Sequence, residues 1–118
     1  MKLITSFLTI QNQLRVFHWQ TQSYAQHKAF GEAYESLDGL IDEFIEVFSG
    51  KVGTPKAKLK YNLILDNYSE DYPSFIDSSI EFLKSLSSEI DSQDTDLLNI
   101  RDEMMAVLNK LKYLLTLK

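Results

Sequence analysis

Cysteine is absent from this sequence of 118 residues. Without a thiol, the chain has no disulfide framework, no thiolate zinc site and no cysteine nucleophile. Proline and glycine are also scarce, at two and four residues, and four of these six lie between Gly50 and Pro73. Because both residues interrupt helices, the rest of the chain favours long helices joined by short connections.

Long apolar runs and an excess of positive charge are absent too. No stretch approaches the roughly 18 consecutive apolar residues of a membrane span. The segment after Met1 has neither the basic start nor the apolar run of a signal peptide, so we expect a cytoplasmic protein. The formal net charge of −5 argues against nucleic acid as the main partner and favours cations. A chain of this length fits one domain, residues 1–118.

Helical periodicity is the strongest pattern that is present. Apolar residues recur at helical spacing in four segments, near residues 2–20, 24–48, 73–90 and 95–117. These stripes predict an all-α fold, an antiparallel four-helix bundle. The predicted core positions are Leu3, Phe7, Ile10, Leu14 and Phe17 in the first helix, Phe30, Tyr34, Leu37, Ile41, Phe44 and Phe48 in the second, Ile76, Ile80, Leu83 and Ile90 in the third, and Leu97, Ile100, Met104, Val107, Leu111 and Leu114 in the fourth.

The helix ends carry recognisable signals. Ser23 and Gln26 form a capping-box pattern at the start of the second helix. Gly50 is a candidate stop for that helix, and Pro73 suits the first turn of the third.

Residues 49–71 form a connection that is long for adjacent antiparallel helices and could cross the bundle. Within it, residues 62–65 are apolar enough to predict a short packed turn. Its lysines suit either a solubilising loop or contact with an acidic partner; they are Lys51, Lys56, Lys58 and Lys60.

The only two histidines, His18 and His27, lie near the end of the first helix and in the first turn of the second. Between Glu32 and Glu46 the second helix carries six acids and no lysine or arginine. At about 100° per residue, His27, Asp38, Asp42 and Glu46 lie along one flank of the second helix, just beside the apolar stripe. Imidazole and carboxylate together are the ligand set of iron and related divalent metals. Two other interpretations stay open: histidines satisfied within the core, and a solvated acidic face.

These residues resemble a known family. The series Phe17-His18-Trp19, His27, Phe30, Tyr34 and Asp42-x-x-x-Glu46 is similar to the mini-ferritins that protect bacterial DNA in starvation, the Dps family, over residues 7–48. In that family a His-Trp pair ends the first helix, a second His opens the next, and an Asp and a Glu follow at the same spacings. The resemblance implies a ferritin-like bundle that binds iron(II) through His18, His27, Asp42 and Glu46 and oxidises it with oxygen or peroxide.

The chain also departs from that family. The gap between the two histidines is three residues shorter than usual, and Gly31 stands where many members carry another acid. There is no basic N-terminal tail, so DNA wrapping is not implied, and the shorter chain puts the twelve-subunit shell in doubt. Over its whole length the sequence more closely resembles short uncharacterised proteins of phages and large DNA viruses, from His18 to His27 and from Tyr113 to Leu117. That second resemblance implies no function.

Two functional hypotheses follow. Asp42 and Glu46 are rotated off the core stripe by roughly 120–160°, so they cannot face the bundle axis while Ile41 and Phe44 do. The first hypothesis is therefore a His/carboxylate site for iron, or another divalent metal such as zinc, shared between the chains of a homodimer or higher homo-oligomer. The second is a non-catalytic helical interaction module of phage or viral type, which keeps the scaffold without ferroxidase chemistry.

Overall fold

Four α-helices and one short 3₁₀ helix form the regular structure of the computed structural model, which describes residues 2–118. They are α1 (Leu3–Gln20), α2 (Tyr24–Lys51), α3 (Tyr72–Ser85), the 3₁₀ turn Leu86–Ser88 and α4 (Thr95–Leu114). The all-α prediction is confirmed, since none of the described residues forms a β-strand. No helix in this part of the chain is both long enough and apolar enough to traverse a lipid bilayer.

The predicted apolar stripes pack against one another as the core. In α2, for example, Phe30, Leu37 and Phe44 are each at most 1% exposed. Edge-to-face aromatic pairs join three helices at one point, because Phe7 of α1 meets Phe44 of α2 and Phe82 of α3 at centroid distances of 5.2 and 5.7 Å. Such pairs add about 0.5–1.5 kcal/mol each beyond the burial of their area.

Aromatic contacts also fix the direction of α3 relative to α1. Phe17, near the end of α1, meets Phe75, near the start of α3, at 5.8 Å. Phe7, near the start of α1, meets Phe82, near the end of α3. The two helices therefore run antiparallel, and Pro73 lies in the first turn of α3 as predicted.

Helices α2 and α4 are antiparallel as well. Lys51, at the end of α2, pairs with Asp94, just before α4, at 3.3 Å. Ala29 and Leu114, at the opposite ends of these helices, line one surface groove. Since α1 and α2 are joined by a short turn, α2 and α3 run in the same direction. The connection over residues 52–71 therefore crosses the length of the bundle.

The predictions for the ends of α2 have mixed outcomes. The Ser23 hydroxyl accepts a hydrogen bond from the Gln26 N–H at 3.2 Å, which confirms the N-cap. The Gln26 side chain does not complete the capping box, because its Oε1 instead accepts from the Tyr68 hydroxyl at 2.8 Å. The prediction that Gly50 stops the helix is wrong: α2 continues through it, and the glycine with positive φ, at 127°, is Gly53.

A buried glutamine of α1 holds the crossing connection. Gln13 is only 2% exposed. Its Nε2 donates to the Asp66 carbonyl at 2.8 Å, and its Oε1 accepts from the Asp66 N–H at 2.7 Å. The predicted packed turn at residues 62–65 is wrong, since Ile64 is 83% exposed and these residues form no regular turn. The segment is instead used to span the bundle.

We expect Gln13→Ala to release this connection while the helices stay folded. The substitution leaves both backbone groups of Asp66 without their partner, at a cost of about 1–3 kcal/mol. Limited proteolysis should then cut between residues 58 and 68 faster than in the wild type. Asn12→Ala is the control, because the Asn12 side chain bonds only the Leu8 carbonyl of its own helix. Equal cleavage of both variants would contradict the role of Gln13.

Candidate functional site

The two histidines meet where α1 turns into α2. The rings of His18 and His27 are stacked, with centroids 3.9 Å apart and planes inclined by 14°. Both side chains are half-buried. The two predicted imidazole ligands therefore lie together in one chain.

Reciprocal hydrogen bonds hold this pair. The Nδ1 of His18 lies 2.6 Å from the carbonyl oxygen of His27, and the Nδ1 of His27 lies 2.8 Å from the carbonyl oxygen of His18. Because a carbonyl oxygen can only accept, each Nδ1 must carry the proton and donate. The neutral form of each ring therefore keeps its lone pair on Nε2. Metal-binding histidines commonly have this arrangement, with one ring nitrogen fixed by a protein acceptor.

Close packing around His18 explains the glycine that departs from the mini-ferritin pattern. Gly31 is buried, and a Cβ built there would lie 2.9 Å from Cε1 and 3.0 Å from Nδ1 of His18. The imidazole therefore occupies the space that a side chain at position 31 would need. The mini-ferritin resemblance marks position 31 as a missing acid, whereas in the structure Gly31 makes room for the His18 ring.

A tyrosine and an arginine extend the stack. The Tyr34 ring meets His18 nearly edge-on at 5.3 Å, and the guanidinium carbon of Arg15 lies 4.8 Å from the Tyr34 centroid. Among the described residues, Arg15 Nε finds no hydrogen-bond partner although it is buried. This end of the α1–α2 pair thus combines two imidazoles with a cation held over an aromatic ring.

The two predicted carboxylate ligands lie further along α2. Asp42 and Glu46 are exposed, whereas Ile41 and Phe44 are buried, so the predicted orientation away from the bundle axis is confirmed. A side-chain hydrogen bond that the protonated Glu46 carboxyl donates to Asp42, together with the negative charge of Asp42, raises the pKa of Glu46. Glu46 therefore binds a proton more readily than a separate carboxyl group would, and a cation bound at this pair would oppose that protonation.

The histidine pair and the acid pair do not meet within one chain. His18 packs on Gly31, and Asp42 follows Gly31 by eleven residues. At 1.5 Å per residue this corresponds to about 16 Å along α2. Accordingly, residues 2–118 contain no group of three His, Asp or Glu side chains placed to hold a metal ion. The four predicted ligands thus do not form one intramolecular site, and a site shared between chains stays a prediction.

Both pairs nevertheless belong to one surface, which we call the α1–α2 face. Around α2, Gly31 and Asp42 differ by only about 20° at 100° per residue. A groove of about 510 Å³ covers the acidic part of this face. Apolar side chains of both helices line it, including Ile4, Leu8 and Ile45. Asp38 stands in the same groove and accepts a hydrogen bond from Gln11 Nε2.

Two residues have a burial opposite to that usual for their residue type. Arg101 of α4 is only 8% exposed; its Nη1 donates to the Leu83 carbonyl and to the Ser87 hydroxyl, both at 2.9 Å. It stabilises the end of α3 and belongs to no site. Trp19, which as an aromatic residue favours the core, is 68% exposed. The sequence signal for Arg101 is its helical spacing, because it lies four residues after Leu97 and three before Met104, both predicted core positions.

Comparison with known proteins adds a family but no activity. No curated protein matches the chain, and no solved structure matches it. The profile of the family of unknown function DUF5856 matches residues 18–115, which include the histidine pair, the acid pair, the crossing connection and α4. The chain therefore belongs to the DUF5856 family.

Proposed function

We propose that this protein binds a divalent metal, iron(II) in the first instance, at a site completed by a second copy of the chain. His18 and His27 of one chain and Asp42 and Glu46 of the other would be the ligands. The observation that carries this proposal is the reciprocal bonding of the two Nδ1 atoms, which leaves both Nε2 lone pairs available. The crossing connection between α2 and α3 supports a ferritin-like form of the bundle.

The charge distribution supports an antiparallel pairing of two α1–α2 faces. One end of the face carries Arg15 and the two histidines, and the other end carries Asp38 and Asp42. A two-fold axis through the middle of the face would lay each cationic end over the partner's acidic end. It would also cover the apolar walls of the groove. Opposite charges brought together in this way favour the pairing and select its register.

The donor set fits a divalent metal only in such a pair. In a single chain the two imidazole rings are stacked, so their in-plane lone pairs do not converge on one ion unless a ring turns. The carboxylates of Asp42 and Glu46 lie about 16 and 22 Å further along α2 than Gly31, on which His18 packs. Neutral imidazole with carboxylate suits iron, and zinc equally well, so the residues alone do not choose the metal. Iron(II) bound there would be the substrate of an oxidation to iron(III) by oxygen or peroxide, as the mini-ferritin resemblance implies.

A second candidate function is a helical interaction module without metal chemistry. The contact between Gly31 and His18 favours it, since a side chain that could supply a further carboxylate is sterically excluded there. The Arg15 cation is separated from His18 by the Tyr34 ring alone. Its positive charge opposes a bound metal until a partner's acids neutralise it. Both candidate functions use the α1–α2 face, and only the first requires a bound metal.

We expect iron(II), kept anaerobic, or zinc(II) to raise the melting temperature at pH 7. Binding to the folded state alone stabilises it by mass action, about 2.7 kcal/mol at a hundredfold excess over Kd. Asp42→Asn with Glu46→Gln should abolish the rise. The matched control, Glu89→Gln with Glu103→Gln, removes the same charge from exposed positions outside α1 and α2 and should retain it.

Sedimentation at micromolar concentration completes the test. A dimer that forms or tightens with metal agrees with a shared site, and the Asp42/Glu46 variant should lose that response. Metal should dissociate as the pH falls, because protons compete for imidazole nitrogens and for the Asp42–Glu46 pair, where the pKa of Glu46 is already raised. A monomer with and without metal would end the shared-site proposal, even if some metal still bound.

A further inference from the structure

We propose that residues 58–66 form an unpaired β-edge that pairs antiparallel with the same residues of a second copy of this chain. We call this stretch the edge segment. It belongs to the crossing connection and lies outside the metal-binding proposal. Four observations support the proposal: an alternating side-chain pattern, an extended path over residues 62–66, a free backbone edge and a self-complementary order of residues.

The side chains of the edge segment alternate with a period of two. The odd positions are apolar, namely Leu59, Tyr61, Leu63 and Leu65. The even positions are polar except for Ile64, namely Lys58, Lys60, Asn62 and Asp66. Such alternation is typical of a half-buried strand rather than a helix. The structure agrees for residues 61–65: Tyr61, Leu63 and Leu65 are 36–40% exposed, whereas Ile64, on the other face, is 83% exposed. Leu59 is 95% exposed in the single chain, so pairing would have to cover it.

Between Asn62 and Asp66 the path of this stretch along α1 is that of an extended chain, whereas Lys58 and Leu59 bend in the single chain and would straighten on pairing. Asn62 lines the same surface groove as Thr5, near the start of α1. Four residues later, Asp66 is hydrogen-bonded to Gln13. From Thr5 to Gln13 the helix rises by about 12 Å over eight residues. Four residues of strand span about 13 Å, so the connection between Asn62 and Asp66 must be close to fully extended.

One backbone edge of the segment is free. Gln13 binds both the N–H and the C=O of Asp66, so this edge faces α1. In an extended chain, alternate residues direct their backbone groups to opposite edges, so those of Leu63 and Leu65 point away from Gln13. Among the described residues, no backbone–backbone hydrogen bond involves residues 58–66. Exposed edges of this kind are templates for pairing with another strand.

The order of residues makes this edge complementary to itself. In an antiparallel pair centred on Asn62, Leu59 lies opposite Leu65 and Lys58 lies opposite Asp66. Opposed apolar pairs and opposed charges each contribute roughly 0.2–1 kcal/mol. The odd positions, whose backbone groups are free, would form the hydrogen-bonded pairs. Parallel in-register stacking would instead oppose Lys58 to Lys58 and Lys60 to Lys60, so the charges favour a closed antiparallel dimer over a growing stack.

This surface differs from the α1–α2 face. Around α1, Gln13, which holds the edge segment, lies about 140° from Leu8, which lines the groove of the α1–α2 face. Pairing through one surface therefore does not place the other surface at an interface. A failure of either proposal can be recognised independently of the other.

Single cysteines test the pairing, because the natural chain contains none. In the proposed register, Asn62 faces the partner's Asn62 at a non-hydrogen-bonded position, with Cα atoms about 4.5 Å apart. That distance lies within the range of a disulfide. The partner's residue 64 would lie about 14 Å from Ile64, four residues away along the strand, beyond the reach of a disulfide. Under mild oxidation, Asn62→Cys should thus form covalent dimers about tenfold faster than Ile64→Cys, although both side chains are exposed.

A further substitution tests the free edge. Adding Leu63→Pro to the Asn62→Cys variant removes the N–H that would bond to the partner strand. Cross-linking should then slow to the rate of Ile64→Cys. Equal rates for the two single cysteines would indicate random collision and would overturn the proposal. So would the absence of cross-linking, or an unchanged rate in the proline variant. A dimer that forms only through the α1–α2 face would show no preferential cross-linking of Asn62→Cys but would still respond to metal.

Discussion

Replacing Leu37 by Asp is expected to abolish cooperative folding. Leu37 lies in the middle of α2, is 1% exposed, and belongs to the apolar core cluster. A buried charge without a partner costs about 3–5 kcal/mol, and the lost packing adds to that cost. The whole domain is expected to be stable by about 5–15 kcal/mol. The variant should therefore be unfolded or molten at 25 °C.

Near- and far-ultraviolet circular dichroism measure this effect directly. The near-ultraviolet signal should be lost, and the thermal transition should broaden or disappear. Leu111→Asp, at an equally buried position of α4, should behave in the same way. The matched control is Ser36→Asp, which adds the same charge to the neighbouring exposed position. A cooperative melt of Leu37→Asp within a few degrees of the wild type would contradict the core assignment.

Replacing Gly31 by Ala should destabilise the protein, whereas the same change at Gly39 should stabilise it. Helix propensity favours Ala over Gly by about 1 kcal/mol at either position of α2. At Gly39, nothing lies within 4 Å of the added methyl, so that gain should appear in full. At Gly31, the methyl would lie 2.9 Å from the His18 ring. Displacing this ring strains the packing and the reciprocal hydrogen bonds, at a net cost of about 1–3 kcal/mol.

Urea unfolding should place the midpoints of the two glycine variants on opposite sides of the wild type. A double-mutant cycle identifies the cause. With His18→Ala as the background, the obstacle at Gly31 is gone, and Gly31→Ala should then stabilise by about as much as Gly39→Ala. A stabilising Gly31→Ala in the natural background would show that the ring moves without cost. The histidine pair would then be less fixed than the hydrogen bonds indicate.

Several features of the fold were predictable because they depend on local sequence. The apolar stripes of the helices follow from a spacing of three and four residues. The N-cap follows from Ser23, whose hydroxyl accepts a hydrogen bond from the N–H three residues later. The start of α3 followed from Pro73 in the same way. Gly50 failed as a stop signal because glycine permits the end of a helix without requiring it. The packed turn at residues 62–65 does not form because the connection has to cross the length of the bundle, and the sequence of those residues does not encode that distance.

Local sequence patterns suffice to predict the four helices, the faces that they bury, and the two pairs of candidate ligands. These properties depend on residue type and periodicity, which act over one or two turns of helix. The folded chain, by contrast, establishes that His18 and His27 stack with Nδ1 of each bonded to the other's carbonyl oxygen, and that the acid pair lies too far along α2 to join them. It also establishes that Gly31 makes room for an imidazole, and that Gln13 uses both ends of its amide to hold the connection. These facts depend on contacts between residues distant in sequence, or on how far apart two helix positions lie in space, and no local pattern encodes them.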